Sequence, residues 1–172
     1  LGGWRVRSEK FAAAQLCEYA KHPYVTADFE EACIFENYCL KYGLEYTRFL
    51  SPFLLGDGND RIVAEKIRQR VVGSLAVFDE EEKSAAEHAR LAREFLDSMD
   101  IGEKTEEFAE RQHRDGLDEF SSVTLQSLRK IEGVIDQCEN MLGGCKMSLE
   151  EFYAIISAAI ESVEMSNIPL YS

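Results

Sequence analysis

The chain has 172 residues, of which 45% are hydrophobic and 30% charged, and its net charge is −13. This composition suits one folded domain with a hydrophobic core and excludes a disordered chain. An acidic chain is a poor autonomous binder of nucleic acid, because it repels the phosphate backbone. No stretch reaches eighteen apolar residues, so we expect neither a transmembrane helix nor a membrane partner.

The first predicted helix covers residues 8–21, with Ser8 as its N-cap and Phe11 on its apolar face. Pro23 follows closely, and the residue before a proline avoids the α-helical region. The helix is therefore expected to end just before this proline.

A second helix is predicted from Thr26 or Asp28 to Tyr42. Asp28 and Glu31 have the spacing of a capping box, in which each side chain bonds a backbone N–H of the other residue. Gly43 is the expected C-terminal stop, since glycine accepts a left-handed conformation without a steric penalty.

Residues 44–60 show no regular period. Pro52 and the Gly-Asp-Gly-Asn-Asp run at 56–60 predict turns. The apolar side chains of this segment are expected to be buried: Phe49, Leu50, Phe53, Leu54 and Leu55.

Apolar residues then recur at three- and four-residue steps, which predicts amphipathic helices at residues 59–78, 81–99 and 103–142. Ile62 is expected on the apolar face of the first of these. Residues 103–142 form one long helix or two consecutive ones, and Gly116 is the weak point. Ser148 and Glu151 form a capping box that opens the last helix. The fold class is therefore all-α, a bundle of about six to seven helices in a single helical domain over residues 1–172.

The cysteine pattern favours reduced thiols in a cytoplasmic protein. The count of five is odd, no Cys-x-x-Cys occurs, and several of the cysteines fall within apolar helical patterns. No signal peptide opens the chain, which also lacks an initiator Met, so we expect a piece of a longer cytoplasmic protein.

Basic residues cluster at two places, and each could form a phosphate-binding face. Arg5, Arg7 and Lys10 form the smaller group. The larger group is made of Arg61, Lys66, Arg68 and Arg70. We favour the interpretation that both groups are solvated helix faces paired with nearby acids.

One half of a metal-binding motif is present. Glu110 and His113 have the i, i+3 spacing with which di-iron bundles point two ligands inward. A site of that kind needs a second such pair, and His22 and His88 do not supply it. We therefore predict no metal ligands.

Asp57 and Asn59 begin a pattern similar to a calcium-binding EF-hand loop. The pattern fails at its fifth, sixth and twelfth positions, which are Arg61, Ile62 and Arg68. A turn followed by a helix start is the better interpretation.

Motifs for nucleotide binding and for nucleophilic catalysis are also missing from the sequence. There is no Gly-x-x-x-x-Gly-Lys and no Gly-x-Gly-x-x-Gly, and nothing resembles a nucleophile elbow. We therefore predict no catalytic and no cofactor-binding residues, and we do not expect this chain to be an enzyme by itself.

Two segments resemble a known family. Residues 35–44, Phe-Glu-Asn-Tyr-Cys-Leu-Lys-Tyr-Gly-Leu, resemble the "LENY…GI" stretch of the AddB-type subunit of bacterial AddAB helicase–nucleases. Phe35 stands in place of the usual Leu, and Leu44 in place of Ile. Residues 147–169 resemble the helix that precedes the family's return into its helicase-like core.

The order of these segments is similar to the helical, 2B-like insertion of the family's second helicase-like domain. The resemblance implies a scaffold within an ATP-dependent helicase–deoxyribonuclease that repairs double-strand breaks by recombination. It implies the other helicase–nuclease subunit, of the AddA type, as partner. It also implies DNA contact in the full complex, with weak or no binding by this piece alone. ATP, Mg²⁺ and an iron–sulfur cluster belong to the parent, outside this region.

Two other functions are consistent with the residues. A free-standing helical regulator or adaptor could bind a protein through an apolar groove. A bundle enzyme with a carboxylate metal site would depend on Glu110 and further ligands.

Overall fold

The computed structural model describes residues 11–79 and 81–165, together with residues 3 and 6. Within these ranges the chain forms seven α-helices: α1 (Ala13–Ala20), α2 (Phe29–Tyr42), α3 (Asn59–Leu75), α4 (Ala85–Ser98), α5 (Ile101–Arg114), α6 (Asp118–Leu142) and α7 (Leu149–Met165). A 3-10 helix covers Tyr46–Leu50. Two short strands, β1 (Lys83–Ser84) and β2 (Lys146–Met147), pair antiparallel, with Lys83 opposite Met147. The predicted all-α class is confirmed.

The chain divides into two compact units, Leu1–Glu80 and Glu81–Ser172. The first contains α1 to α3 and the 3-10 helix. The second contains α4 to α7 and the two-stranded ladder. The assignment of residues 1–172 to a single domain stays a prediction. None of the described helices has both the length and the apolar character that crossing a bilayer demands.

The first helix begins later than predicted. Phe11 is not helical but has a left-handed backbone, with a φ of 61°. Its N–H donates to the carbonyl of Val6 at 2.9 Å, and its carbonyl accepts from the N–H of Tyr46 at 3.2 Å. These bonds tie Phe11 to other segments, so α1 starts only at Ala13. The predicted N-cap, Ser8, lies outside the described residues.

The second helix has the predicted cap but not the predicted capping box. Asp28 Oδ1 accepts from the N–H of Glu30 at 2.8 Å, which satisfies one of the free donors of the first turn. The carboxylate of Glu31 instead binds Lys66 on α3. At the other end Gly43 is left-handed, with a φ of 56°, as predicted.

The prediction of burial was wrong for three of the five apolar side chains in the segment after α2. Phe49 and Phe53 are buried, whereas Leu50, Leu54 and Leu55 are exposed, and Leu54 is 80% exposed. Successive side chains of an extended segment point to opposite sides, so the ring of Phe53 enters the core while Leu54 faces solvent. Ile62, predicted on the buried face of α3, is also exposed.

The helices at 59–78 and 81–99 are shorter than predicted. The first ends at Leu75, and the second starts at Ala85 because Ser84 is its N-cap. The Ser84 hydroxyl accepts from the N–H of Glu87 at 3.2 Å, and the Glu87 carboxylate accepts from the N–H of Ser84 at 2.9 Å. This capping box was readable in the sequence and was missed.

The long helical stretch breaks at the predicted glycine. Gly116 has a φ of 76°. The N–H of Gly116 donates to the carbonyl of His113 at 3.0 Å, and the N–H of Leu117 donates to the carbonyl of Gln112 at 2.8 Å. These two bonds form the Schellman motif that ends many helices. The chain then reverses into α6.

We expect Gly116→Ala to destabilise the second unit by about 1 kcal/mol or more, since alanine is strained at positive φ. Gly133→Ala is the matched control, because Gly133 lies within α6 and a Cβ there would meet no atom within 4 Å. That change is expected to stabilise the helix by up to about 1 kcal/mol. Urea unfolding followed by circular dichroism measures both. Equal effects of the two substitutions would contradict the role assigned to Gly116.

The last helix opens with the predicted capping box. The N–H of Ser148 donates to the Glu151 carboxylate at 2.8 Å, and the N–H of Glu151 donates to the Ser148 hydroxyl at 3.2 Å. Nearby, buried His88 of α4 donates from Nε2 to the carbonyl of Met147 at 3.0 Å. Its ring stacks on Phe152, with centroids 5.2 Å apart. His88 therefore joins α4 to the start of α7.

Candidate interaction surface

An aromatic cluster forms the core beside the segment that follows α2. Phe35 and Tyr38 stand three residues apart on one face of α2, as helix geometry requires. The ring of Phe35 lies 6.4 Å from that of Phe49 and 6.2 Å from that of Phe53. Tyr38 stacks on Phe53 at 5.1 Å. Residues 35–44, which carry the family resemblance, are thus used for packing.

Tyr38 also holds the segment that follows. Its hydroxyl donates to the carbonyl of Leu55 at 2.7 Å. Burial raises the pKa of Tyr38 above its ordinary value, which further favours the protonated phenol that donates this bond. This bond helps to fix the position of residues 52–55 against α2.

A cleft of about 330 Å³ opens on this segment. Leu44, Pro52 and Phe53 contribute apolar walls, and the polar lining includes Thr47 and Arg48. No carboxylate, histidine or cysteine is among the described residues that line it, so it offers no general base to activate a nucleophile. Its chemistry suits an apolar side chain of another protein segment.

The larger basic group does not form a free cationic face. Two of its arginines are directed at backbone carbonyls of their own unit. Arg61 Nη1 lies 3.5 Å from the carbonyl oxygen of Phe53, and Arg70 Nη1 donates to that of Val25 at 3.2 Å. Each guanidinium thereby satisfies an acceptor in a connecting segment.

The other two cations of the group pair with acids. Lys66 Nζ lies 2.8 Å from the Glu31 carboxylate, and Arg68 binds Glu65. The predicted pairing with nearby acids is thus confirmed for Lys66 and Arg68. It was wrong for Arg61 and Arg70, which bond backbone carbonyls, and Arg68 is buried rather than solvated. Arg5, Arg7 and Lys10 lie outside the described residues.

Arg68 is the most deeply buried member of the group. Its Nε and Nη2 donate to the two carboxylate oxygens of Glu65 at 2.7 and 2.6 Å, and its Nη1 donates to the Phe49 carbonyl at 3.0 Å. Glu65 also accepts from the N–H of Phe53 at 2.9 Å. The guanidinium lowers the pKa of the Glu65 carboxyl to about 2. Sequence reasoning missed this network, although Glu65 and Arg68 stand three residues apart on one helix.

The half-motif for a metal lies on the surface of α5. Glu110 and His113 are not buried, and His113 contacts Asp118 rather than Glu110. Among the residues the structure describes, no group of three or more His, Cys, Asp or Glu could hold a metal ion. Asp57 and Asn59 form the predicted turn and helix start, since α3 begins at Asn59.

The five thiols are free and dispersed. Cys17 and Cys39 form a buried pair between α1 and α2, and their hydrogen bond lowers the pKa of Cys17 and raises that of Cys39. Burial raises the pKa of Cys138 in the second unit. Cys33 is half-buried and Cys145 exposed. This arrangement does not provide the ligand set of an iron–sulfur cluster, which takes four thiolates in most proteins.

The described residues define an all-α protein whose polar side chains serve packing and capping, with a cleft that suits an apolar partner group. No protein-family model matches the chain. Among curated proteins it is similar to the AddB subunit of the ATP-dependent helicase/deoxyribonuclease of Bacillus cereus strain G9842, at 30% identity over 160 residues. That alignment covers 81% of this chain and 14% of the relative.

The AddB subunits of Bacillus cereus strain B4264 and Bacillus anthracis are 30% and 29% identical over 160 residues, again covering 81% of this chain and 14% of each relative. The chain is therefore homologous to a region of the AddB-type subunit of the ATP-dependent helicase/deoxyribonucleases. This confirms the family resemblance. The chain spans about one seventh of the length of these relatives.

Proposed function

We propose that this chain is a non-catalytic structural and interaction region of the AddB-type subunit of an ATP-dependent helicase–deoxyribonuclease. Its parent resects double-strand breaks for recombinational repair in the bacterial cytoplasm. Within that parent, the chain corresponds to the helical, 2B-like insertion of the second helicase-like domain. It packs on the helicase-like core, helps to shape the DNA channel and contacts the AddA-type subunit.

One observation carries the proposal: the four cations that could have formed a phosphate-binding face are directed at acceptors of their own unit. Cations bonded in this way stabilise the fold and form no basic patch on the surface of this acidic chain. The cleft beside Tyr38 adds apolar walls without a general base. These features suit a region that packs and binds protein while chemistry occurs elsewhere.

The cofactors of the parent are proposed to lie outside this region. ATP and Mg²⁺ would be bound by motifs that this sequence does not contain. The dispersed thiols give no ligand set for an iron–sulfur cluster, so we derive no step through one. DNA would be contacted by the full complex and only weakly, or not at all, by this chain.

The purified chain is expected to cleave no linear duplex DNA in Mg²⁺ and to hydrolyse no ATP. Its affinity for a fluorescent duplex should lie no tighter than about the 10⁻⁴ M that marks weak non-specific binding at physiological salt. The physical reason is its net charge of −13 together with the internal pairing of its cations. Lys66→Glu serves as the control, since Lys66 is the more exposed of the two acid-paired cations in α3 and would matter most in a DNA-binding face. Cleavage that EDTA abolishes, or tight binding that Lys66→Glu removes, would refute the proposal.

A free-standing regulator or adaptor is the second candidate, and the exposed apolar side chains Leu40, Leu54 and Phe120 favour it. The reading frame distinguishes the two functions. A frame that continues into a helicase-like core and a nuclease segment supports the AddB-type region. A start codon just before Leu1 and a stop codon soon after Ser172 support the regulator.

A further inference from the structure

Helix α5 and the first part of α6 form a two-helix arm, residues 101–133, with very little core of its own. In α5 only Thr105 and Ala109 are buried, and in α6 the buried residues all lie beyond the arm, at Val134, Ile135 and Cys138. The two helices pack against each other, yet most side chains of the arm are exposed. The arm therefore presents uncovered side chains along much of its length.

The exposed apolar patch at the tip of the arm consists of Leu117, Phe120 and Val123. Phe120 is 62% exposed and stands eighteen residues, or five full helical turns, before Cys138. Val123 stands eleven residues, about three turns, before Val134. Both buried positions lie in the half of α6 where Arg93 of α4 binds Asp136 and Glu139, and α7 also packs against α6. The same face of α6 is thus covered at one end and uncovered at the other.

The charges around the patch define what could cover it. Residues 101–123 hold seven carboxylates against three lysines and arginines, and Asp118 and Glu119 stand next to Phe120 in the sequence. This field repels DNA, and it equally repels a second copy of the same arm. The complementary surface is an apolar pocket surrounded by lysine or arginine side chains.

We propose that the tip of the arm docks in such a basic-rimmed apolar pocket on the AddA-type subunit. The inference rests on the proposed function, which supplies this second polypeptide. Phe120 is the anchor: an aromatic side chain that becomes fully covered is the type of residue that dominates interface affinity. Asp118 and Glu119 guide the encounter with the basic rim, because complementary charges raise association rates.

The test uses the two full-length subunits, purified separately, with their affinity measured by biolayer interferometry at about 100 mM NaCl, where exposed charges still act over roughly 10 Å. Phe120→Glu, made in the AddB-type protein, is expected to weaken binding on the order of 30-fold or more, as for an interface anchor. Phe120→Leu should keep most of the affinity. Ile62→Glu is the matched control, because Ile62 is an apolar residue with 60% of its surface exposed, close to the value for Phe120, but lies in the other unit. It should change the affinity less than about twofold.

A charge substitution tests the role of the acidic residues beside Phe120. Glu119→Lys is expected to slow association several-fold at about 100 mM NaCl and to have little effect at about 500 mM, where exposed charges are screened. The proposal is overturned if the two wild-type proteins do not associate, or if Phe120→Glu binds like wild type. It is also overturned if Phe120→Glu lowers the unfolding temperature of the AddB-type protein alone, since another of its own segments would then cover the patch. These outcomes are independent of the cleavage and ATP hydrolysis assays that test the proposed function.

Discussion

Replacing Phe35 with alanine is expected to destabilise the first unit by about 3–5 kcal/mol, the range for removing a buried phenylalanine. Phe35 has no exposed surface, and its ring lies close to those of Phe49 and Phe53. The substitution removes these apolar contacts and leaves a cavity that rings held by a 3-10 helix and a turn cannot fill.

Phe29→Ala is the control on the same helix, because Phe29 opens α2 with 65% of its surface exposed. Its effect should stay within about 0.5 kcal/mol, as for surface substitutions generally. Amide hydrogen exchange in α2 and α3 reports on the first unit, with α6 as an internal reference. If Phe35→Ala left protection in α2 and α3 unchanged, the packing role of residues 35–44 would be wrong.

Arg68→Ala is expected to cost the first unit about 3 kcal/mol, near the lower end of the range for breaking a buried ion pair. The change leaves the Glu65 carboxylate without its bidentate partner and the Phe49 carbonyl without a donor. The exposed pair Arg90–Glu94 on α4 supplies the control. Arg90→Ala should change stability by at most about 0.5 kcal/mol, since solvent screens that pair.

A double-mutant cycle separates the ion pair from its surroundings. The loss in Glu65→Ala/Arg68→Ala should be smaller than the sum of the two single losses, because the second substitution removes a charge that the first left unpaired. Strict additivity of the two losses would show that Arg68 and Glu65 do not act as a pair.

The pH dependence follows from the lowered pKa of Glu65, which is about 2 in the folded chain against an ordinary value of 4.5. A depressed pKa contributes stability that is complete above the unfolded-state value and is lost as the pH falls through the folded-state value. The difference in stability between wild type and Arg68→Ala should therefore be largest above pH 4.5 and shrink toward pH 2. Urea midpoints measured across this window test it, and a difference that grew on acidification would have the wrong sign.

Helix ends were predictable where their cause is local. Asp28, Gly43 and Gly116 stop or start helices through bonds that span no more than five residues, and a short sequence window contains all the partners. The same holds for Ser148 and Glu151. The family resemblance was readable for a related reason, since each of the two segments that carry it is continuous in the sequence.

The start of α1 was not predictable in this way. Phe11 continues the apolar pattern of the helix, yet its carbonyl accepts from Tyr46, thirty-five residues further on. That bond exists only once α2 has reversed the chain direction. The local apolar pattern predicted a helix at Phe11, but the contact with Tyr46 accompanies a left-handed, non-helical backbone there.

The candidate basic face also depended on contacts that the sequence does not show. The sequence placed Arg61, Lys66, Arg68 and Arg70 close together, but it could not show whether their charges face solvent. Their partners include backbone carbonyls of other segments. Because every residue has a backbone carbonyl, the residue types do not show which carbonyl accepts a bond. Only the folded chain distinguishes internal bonding from a surface that binds phosphate.

The sequence by itself determined the all-α class, most of the helix ends and the family, because helical periodicity, capping and motif similarity depend on residues that are close neighbours in the chain. The tertiary structure decided which apolar faces are covered and which remain exposed, as at Leu54 and Phe120, and where the buried cations find their acceptors. Burial and ion pairing depend on which elements pack together, and that depends on contacts between residues far apart in the sequence.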